Sequence, residues 1–139
     1  MREIEFRGKL EDTGEWVYGG MRNIWSAVAE HAVICPGKHF ENDGFTDLDE
    51  VSVDPETVGQ YTGLKDKNGV KIFEGDIVEL TNDIPDETYR GTITFHDLEW
   101  AIDAGNDFES LYNQIIHCGK AIEVIGNIHD NPEILEARQ

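Results

Sequence analysis

The part of the chain that decides the fold is Lys71-Ile72-Phe73-Glu74-Gly75-Asp76-Ile77-Val78-Glu79-Leu80. Apolar residues on both sides of Gly75-Asp76 predict a β-strand that turns at this dipeptide. Ile77 and Leu80 are three positions apart, so both can lie on one face only if a β-bulge intervenes. The preceding run, Asp66-Lys67-Asn68-Gly69, predicts a tight turn because Asn-Gly tolerates positive φ.

Further short strands follow at roughly ten-residue spacing, a rhythm typical of small closed sheets. Residues 89–95 and 99–103 alternate apolar and polar side chains around a turn at His96-Asp97, and residues 123–128 predict a closing strand. Residues 108–116 have the apolar spacing of a short helix, and Asn131-Pro132 predicts the start of a terminal one. Residues 71–128 therefore predict a five-stranded SH3-like barrel.

Upstream, residues 4–18 predict a β-hairpin with a turn at Asp12-Thr13-Gly14, and Gly19-Gly20 is expected to end its second strand. Residues 24–35 predict a short helical turn that leads into a strand. Residues 41–56 contain seven acidic and no basic residues and predict an acidic loop, with Val51 and Val53 in a short strand.

The fold class expected from these patterns is mainly β, with an N-terminal hairpin or sheet, a C-terminal SH3-like small barrel and one or two short helices. The expected domains are residues 1–64, an N-terminal β-rich lobe with the acidic loop, and residues 65–139, the barrel with a C-terminal helical turn.

The excess of acidic residues indicates which partners the chain would repel. The chain has 139 residues, with 11 Lys and Arg against 29 Asp and Glu, and a formal net charge of −18. Such a field repels phosphate, so we expect no direct nucleic-acid binding and no attachment to anionic membranes. With no signal peptide or spanning segment in the sequence, a cytoplasmic protein is expected. An alternative is an acidic nucleic-acid mimic that sequesters a host DNA-binding protein through residues 41–56.

No residue pattern predicts a catalytic, cofactor-binding or metal site, and we expect no cofactor and no enzymatic activity. Cys35 and Cys118 are expected to be free thiols, although a zinc site built from both and a histidine is conceivable. The acidic run from Asp43 to Glu50 lacks the ligand order of a calcium loop. Asp103, Asp107 and Glu109 lie near a predicted turn, and a metal-dependent enzyme that uses clustered carboxylates stays a further alternative.

Six aromatic residues fall on predicted strands: Trp16, Tyr18, Tyr61, Phe73, Phe95 and Trp100. Most are expected in the core, because a small barrel needs large side chains to fill it. Any that face outward would form a partner-binding patch, although the fold alone does not settle function.

Four blocks of the sequence together resemble the YopX family of small phage and prophage proteins. They are residues 1–9 with 12–19, Val53-Asp54-Pro55-Glu56-Thr57-Val58-Gly59-Gln60-Tyr61-Thr62-Gly63-Leu64 with residues 65–69, Ile72-Phe73-Glu74-Gly75-Asp76-Ile77-Val78, and residues 123–133. The resemblance implies a phage or prophage origin, a bacterial cytoplasmic location, a β-rich fold with an SH3-like C-terminal part, and homo-oligomers. It implies no reaction, no ligand and no functional residue, and the protein partner is unknown.

Overall fold

The computed structural model describes residues 4–25, 30–36, 51–81, 88–105, 107–117 and 121–136. The chain forms two compact units, Met1–Gly63 and Leu64–Gln139. Antiparallel β-sheet dominates both, and the helices of the described residues are short, which confirms the expected mainly β class.

The first unit contains β1 (Phe6–Lys9), β2 (Trp16–Trp25), β3 (Glu30–Pro36), β4 (Val51–Val53) and most of β5 (Gly59–Lys65). Its strands lie in the order β4-β3-β2-β1-β5, and a short strand, β6 (Lys71–Phe73), follows in the second unit. The predicted hairpin is β1 and β2, and the predicted short strand is β4. The sequence predicts a helical turn that leads into a strand over residues 24–35; residues 24 and 25 instead end β2, residues 30–35 lie in β3 as a strand, and residues 26–29 lie outside the described residues, as does most of the acidic loop.

The prediction that Gly19 and Gly20 end the second strand is wrong, because β2 continues through both to Trp25. Gly19 lies opposite Phe6 on one side and Pro36 on the other, and Gly20 lies opposite Cys35. A strand with neighbours on both sides holds glycines in extended backbone that their own low strand propensity would not favour.

Two fully buried side chains form the centre of the core in the described part of the first unit. Ile34 and Val53 are fully buried there, and four half-buried side chains pack against them, namely Phe6, Leu10, Val17 and Val58. The backbone of Gly8 passes so close that an added Cβ would lie 3.0 Å from Val53. This close approach explains a glycine in the middle of β1.

The second unit contains five further strands: β7 (Asp76–Thr81), β8 (Thr88–His96), β9 (Glu99–Asp103), β10 (Phe108–Ser110) and β11 (Ala121–Asn127). They form one sheet in the order β10-β9-β8-β7-β11. In the described part of the chain, β10 and β11 are edges that do not pair with each other, so this sheet is open and a closed SH3-like barrel is not confirmed.

The turn predicted at Gly75-Asp76 separates β6 from β7, and Gly75 has a φ of 90°. Ile77 and Leu80 are both fully buried, but β7 pairs with β8 in unbroken register, so these two side chains lie on opposite faces of the strand and only Leu80 belongs to the core cluster of this unit. The bulge lies in the partner strand, however: Val124 faces Val78 while Gly126 faces Ile77, so the register shifts within β11.

The helix predicted over residues 108–116 is wrong for its first three residues, which form β10. Phe108, Glu109 and Ser110 pair with residues 103, 102 and 101 of β9, and this ladder overrides the helical spacing of the side chains. Helical backbone begins at Leu111 and continues in a π-helix, Asn113–His117. The terminal helix α1 (Pro132–Glu136) begins at Pro132 as predicted.

The second unit has the larger core. Seven buried aliphatic side chains form one cluster: Ile72, Val78, Leu80, Ile93, Ile102, Leu111 and Ile122. They come from six segments of the unit, so the open sheet is held together by side chains on one of its faces.

Candidate protein-contact surface

The aromatic residues predicted on strands divide into three groups. Tyr61 and Phe73 are buried, Trp16 and Trp100 are half-buried, and Tyr18 and Phe95 are 44% and 53% exposed. Trp16 lies beneath two cations, with the guanidinium of Arg7 4.6 Å from its ring centroid and the ammonium of Lys9 5.5 Å away. Of these six aromatic residues, Tyr18 in the first unit and Phe95 in the second are therefore accessible to a partner.

Phe95 stands next to an unusual turn. The loop between β8 and β9 has only two residues, Asp97 and Leu98, with φ angles of 50° and 67°. Positive φ at both positions defines the hairpin turn that normally contains Asn-Gly or Asp-Gly. Leu98 occupies the glycine position and is 91% exposed. The sequence predicted the turn one residue earlier, at His96-Asp97, and gave no reason to single out Leu98.

One face of this hairpin continues the core. Ile93 pairs with Ile102, and one step closer to the turn Phe95 pairs with Trp100. Ile93 and Ile102 are buried, whereas the Phe95 ring extends past the end of the core and meets Trp100 edge to face at 5.1 Å.

The opposite face holds a cavity of about 230 Å³. Its walls include His96 and Phe108, whose rings stack with centroids 3.8 Å apart and planes 13° from parallel. Ala101 and Ser110 of β9 and β10 form part of its floor. We call Phe95, His96, Asp97, Leu98 and Phe108 together the hairpin-tip surface.

Carboxylates surround the cavity, which is also lined by Asp97, Glu99, Asp107 and Glu109. Asp107 accepts the N–H of Phe108, and Glu109 accepts a short hydrogen bond from the hydroxyl of Tyr89. Asp97 lies 3.3 Å from Nε2 of His96. The lining contains no Lys or Arg among the described residues.

Of the carboxylates weighed for a metal-dependent enzyme, Asp107 and Glu109 line this cavity, whereas Asp103 does not. Asp103 accepts the N–H of Gly105 at 2.9 Å, which closes the turn before β10. No three His, Cys, Asp or Glu side chains converge as a metal site in the described ranges. The run from Asp43 to Glu50, the side chain of Cys35 and all of Cys118 lie outside those ranges.

The carboxylate of Asp66, away from the cavity, bonds to the backbone of its own turn and of β11. Asp66, in the predicted turn, is buried, and its Oδ1 accepts the N–H groups of Asn68 and Val70 at 2.8 and 2.9 Å. Its Oδ2 accepts the N–H of Val124 in β11 at 3.0 Å. Burial raises the pKa of Asp66, but these three hydrogen bonds and the nearby Lys67 together lower that pKa below its usual value.

Two solved structures are similar to the chain along nearly its whole length. Protein EF1440 from Enterococcus faecalis is 24% identical with a TM-score of 0.53, and the match covers 95% of this chain and 97% of that one. Protein yopX from Bacillus subtilis is 21% identical with a TM-score of 0.58, and the match covers 99% of both. At these identities the likeness establishes the fold alone.

No curated protein matches the chain. Among the described residues, no helix has both the length and the apolar character needed to cross a membrane. The family model described as "YopX protein" matches residues 5–136, nearly the whole sequence. With this match and the fold of the two solved structures, the chain belongs to the YopX family.

Proposed function

We propose that this chain is a phage or prophage accessory protein of the bacterial cytoplasm that acts by protein–protein contact, as a homo-oligomer rather than as an enzyme. The observation that carries the proposal is the hairpin-tip surface. Phe95 and Leu98 expose large apolar side chains at the tip of the β8–β9 hairpin, and Phe108 exposes part of its ring beside the cavity on the opposite face. Exposed apolar side chains that gain nothing from the protein's own core are typical of interaction sites, and aromatic residues are enriched in interfaces.

The backbone at Leu98 supports the same proposal. A non-glycine residue at positive φ typically costs on the order of 1–3 kcal/mol. Leu98 recovers none of this by burial, since 91% of it remains exposed. Folding of the isolated chain gains nothing from a leucine here, whereas contact with another protein would bury it.

The test compares capture by the wild-type chain with capture by Phe95→Ser and Leu98→Ser. Each tagged protein is incubated with bacterial lysate at low and at high salt, and bound proteins are identified by mass spectrometry. We expect one dominant protein to be retained by the wild type at both salt concentrations and lost with either variant. The matched control is Val70→Ser, since Val70 is 49% exposed in the same unit but outside the hairpin-tip surface.

Light scattering coupled to size-exclusion chromatography measures the homo-oligomer directly. A monomer at all concentrations would contradict the oligomeric part of the proposal, and capture unchanged in Phe95→Ser and Leu98→Ser would contradict the contact surface.

The net charge of −18 favours a second candidate function, an acidic nucleic-acid mimic that sequesters a host DNA-binding protein. It predicts instead a set of DNA-binding proteins that is released at high salt.

A further inference from the structure

The cavity beside the hairpin tip has the size of one long side chain. Its volume of about 230 Å³ is below the range of roughly 300–1,000 Å³ that is typical of pockets for cofactors and drug-sized ligands. It is also too wide for a bare metal ion, which needs ligand atoms that converge to about 2.0–2.6 Å. A single side chain supplied by another protein fits between these limits.

The charge of the lining selects the kind of side chain. Asp97 and Glu99 stand on the hairpin side of the cavity and Asp107 on the β10 side. An anionic or neutral group would leave this negative field uncompensated, whereas a cation would lower its energy.

The aromatic wall distinguishes arginine from lysine. Phe108 is 44% exposed while it stacks on His96, so part of its ring surface is open to a partner. A guanidinium is planar and weakly hydrated, and it stacks on aromatic faces while its N–H groups fork toward carboxylates. An ammonium group offers a point charge without that shape.

Resting on the proposed function, we propose that the cavity accepts an arginine side chain of a partner protein and that Leu98 covers an apolar residue next to that arginine. The arginine lies against Phe108 with its guanidinium toward Glu99 and Asp97. Leu98, at the tip of the same hairpin, supplies the apolar part of the contact. The partner is therefore a protein with a basic and apolar segment, not a nucleic acid.

The test is a titration followed by amide proton–nitrogen NMR spectra of the full chain. The probes are N-acetyl-arginine amide, N-acetyl-lysine amide and N-acetyl-glutamine amide, which differ only in side chain. We expect saturable shifts with the arginine amide that are confined to residues 96–101 and 107–110, and weaker binding of the lysine amide. Equal binding of the arginine and glutamine amides, or shifts spread over the acidic surface, would overturn the proposal.

Two variants assign the binding to this cavity. Glu99→Gln should weaken binding of the arginine amide by roughly three- to fivefold, the scale of one exposed ion pair. Phe108→Ala should weaken this binding by a similar factor. Glu133→Gln, which neutralises an exposed carboxylate of α1, should leave binding unchanged. Equal loss in Glu133→Gln would reduce the effect to net charge and contradict the site. If the arginine amide fails to bind but lysate capture still requires Phe95, this inference falls while the proposed function stands.

Discussion

Two turns of the second unit, Asp66-Lys67-Asn68-Gly69 and Asp97-Leu98, follow opposite rules. The first contains the residues that turn geometry favours, and its Asp66 is buried and bonded to three backbone N–H groups. The second places an exposed leucine where a glycine would be relaxed. Residues that agree with their backbone serve stability, and a residue that conflicts with it without compensation points to function.

The largest expected effect comes from breaking the first turn. Asp66→Asn keeps the shape of the side chain but has only one acceptor oxygen, whereas the three N–H groups use both oxygens of Asp66, so at least one N–H group loses its acceptor. We expect the free energy of unfolding to fall by about 2–3 kcal/mol, as measured by urea denaturation. Asp97→Asn makes the same chemical change in the second turn, on an exposed side chain. It should change the free energy of unfolding by no more than about 0.5 kcal/mol. Equal losses in the two variants would remove the contrast between the turns.

The lowered pKa of Asp66 adds a pH dependence to the same contrast. Its pKa in the unfolded chain is close to 3.8, and in the folded chain it is lower. At pH values between these two pKa values the unfolded state binds a proton that the folded state does not. The stabilisation by the Asp66 carboxylate is therefore complete above pH 3.8 and is lost as the pH falls toward the folded pKa. Urea denaturation of wild type and Asp66→Asn should therefore differ less at acidic pH than at neutral pH. A difference that is constant down to acid pH would mean that the charge of Asp66 is irrelevant.

A smaller effect is expected at the end of the first turn. Gly69 has a φ of 81°, and an added Cβ would meet nothing within 4 Å. Gly69→Ala therefore tests backbone strain without a steric clash, and it should lower the free energy of unfolding by about 1 kcal/mol. If thermal and urea denaturation of this variant match those of the wild type, alanine tolerates the positive φ at this position without loss of stability.

The smallest expected effect has the opposite sign. Leu98→Gly restores Asp-Gly, the dipeptide that this hairpin turn favours, and should raise the free energy of unfolding by about 0.5 kcal/mol. The same variant should lose partner capture in the lysate experiment, because the apolar tip is gone. A variant that is less stable than wild type, or one that captures the partner normally, would show that Leu98 is not kept for contact.

Much of the fold was predictable because the signals are local. The bend at Gly75-Asp76, the tight turn at residues 66–69 and the first hairpin depend on backbone preferences that each residue carries with it. The errors at Gly19-Gly20 and at residues 108–110 have one cause. In both places a neighbouring strand distant in sequence supplies hydrogen bonds that outweigh local preference.

The sequence predicted that outward-facing aromatic residues would form a contact surface, but not which residues these are. Alternation correctly places Phe95 on the same face as Ile93, but no local signal shows that the core ends between them. The cavity depends on β10, which the side-chain spacing assigned to a helix, and on the stacking of Phe108 with a histidine twelve residues earlier in the sequence.

By itself, then, the sequence determined the mainly β class, the family, most turn positions and the acidic field, since composition and local backbone preference are properties of the chain alone. Only the tertiary structure decided which strands lie beside one another, that Asp66 joins its turn to β11 and that Phe95 and Leu98 remain exposed. Pairing and burial depend on residues far apart in the chain, and they become defined only when the sheet assembles.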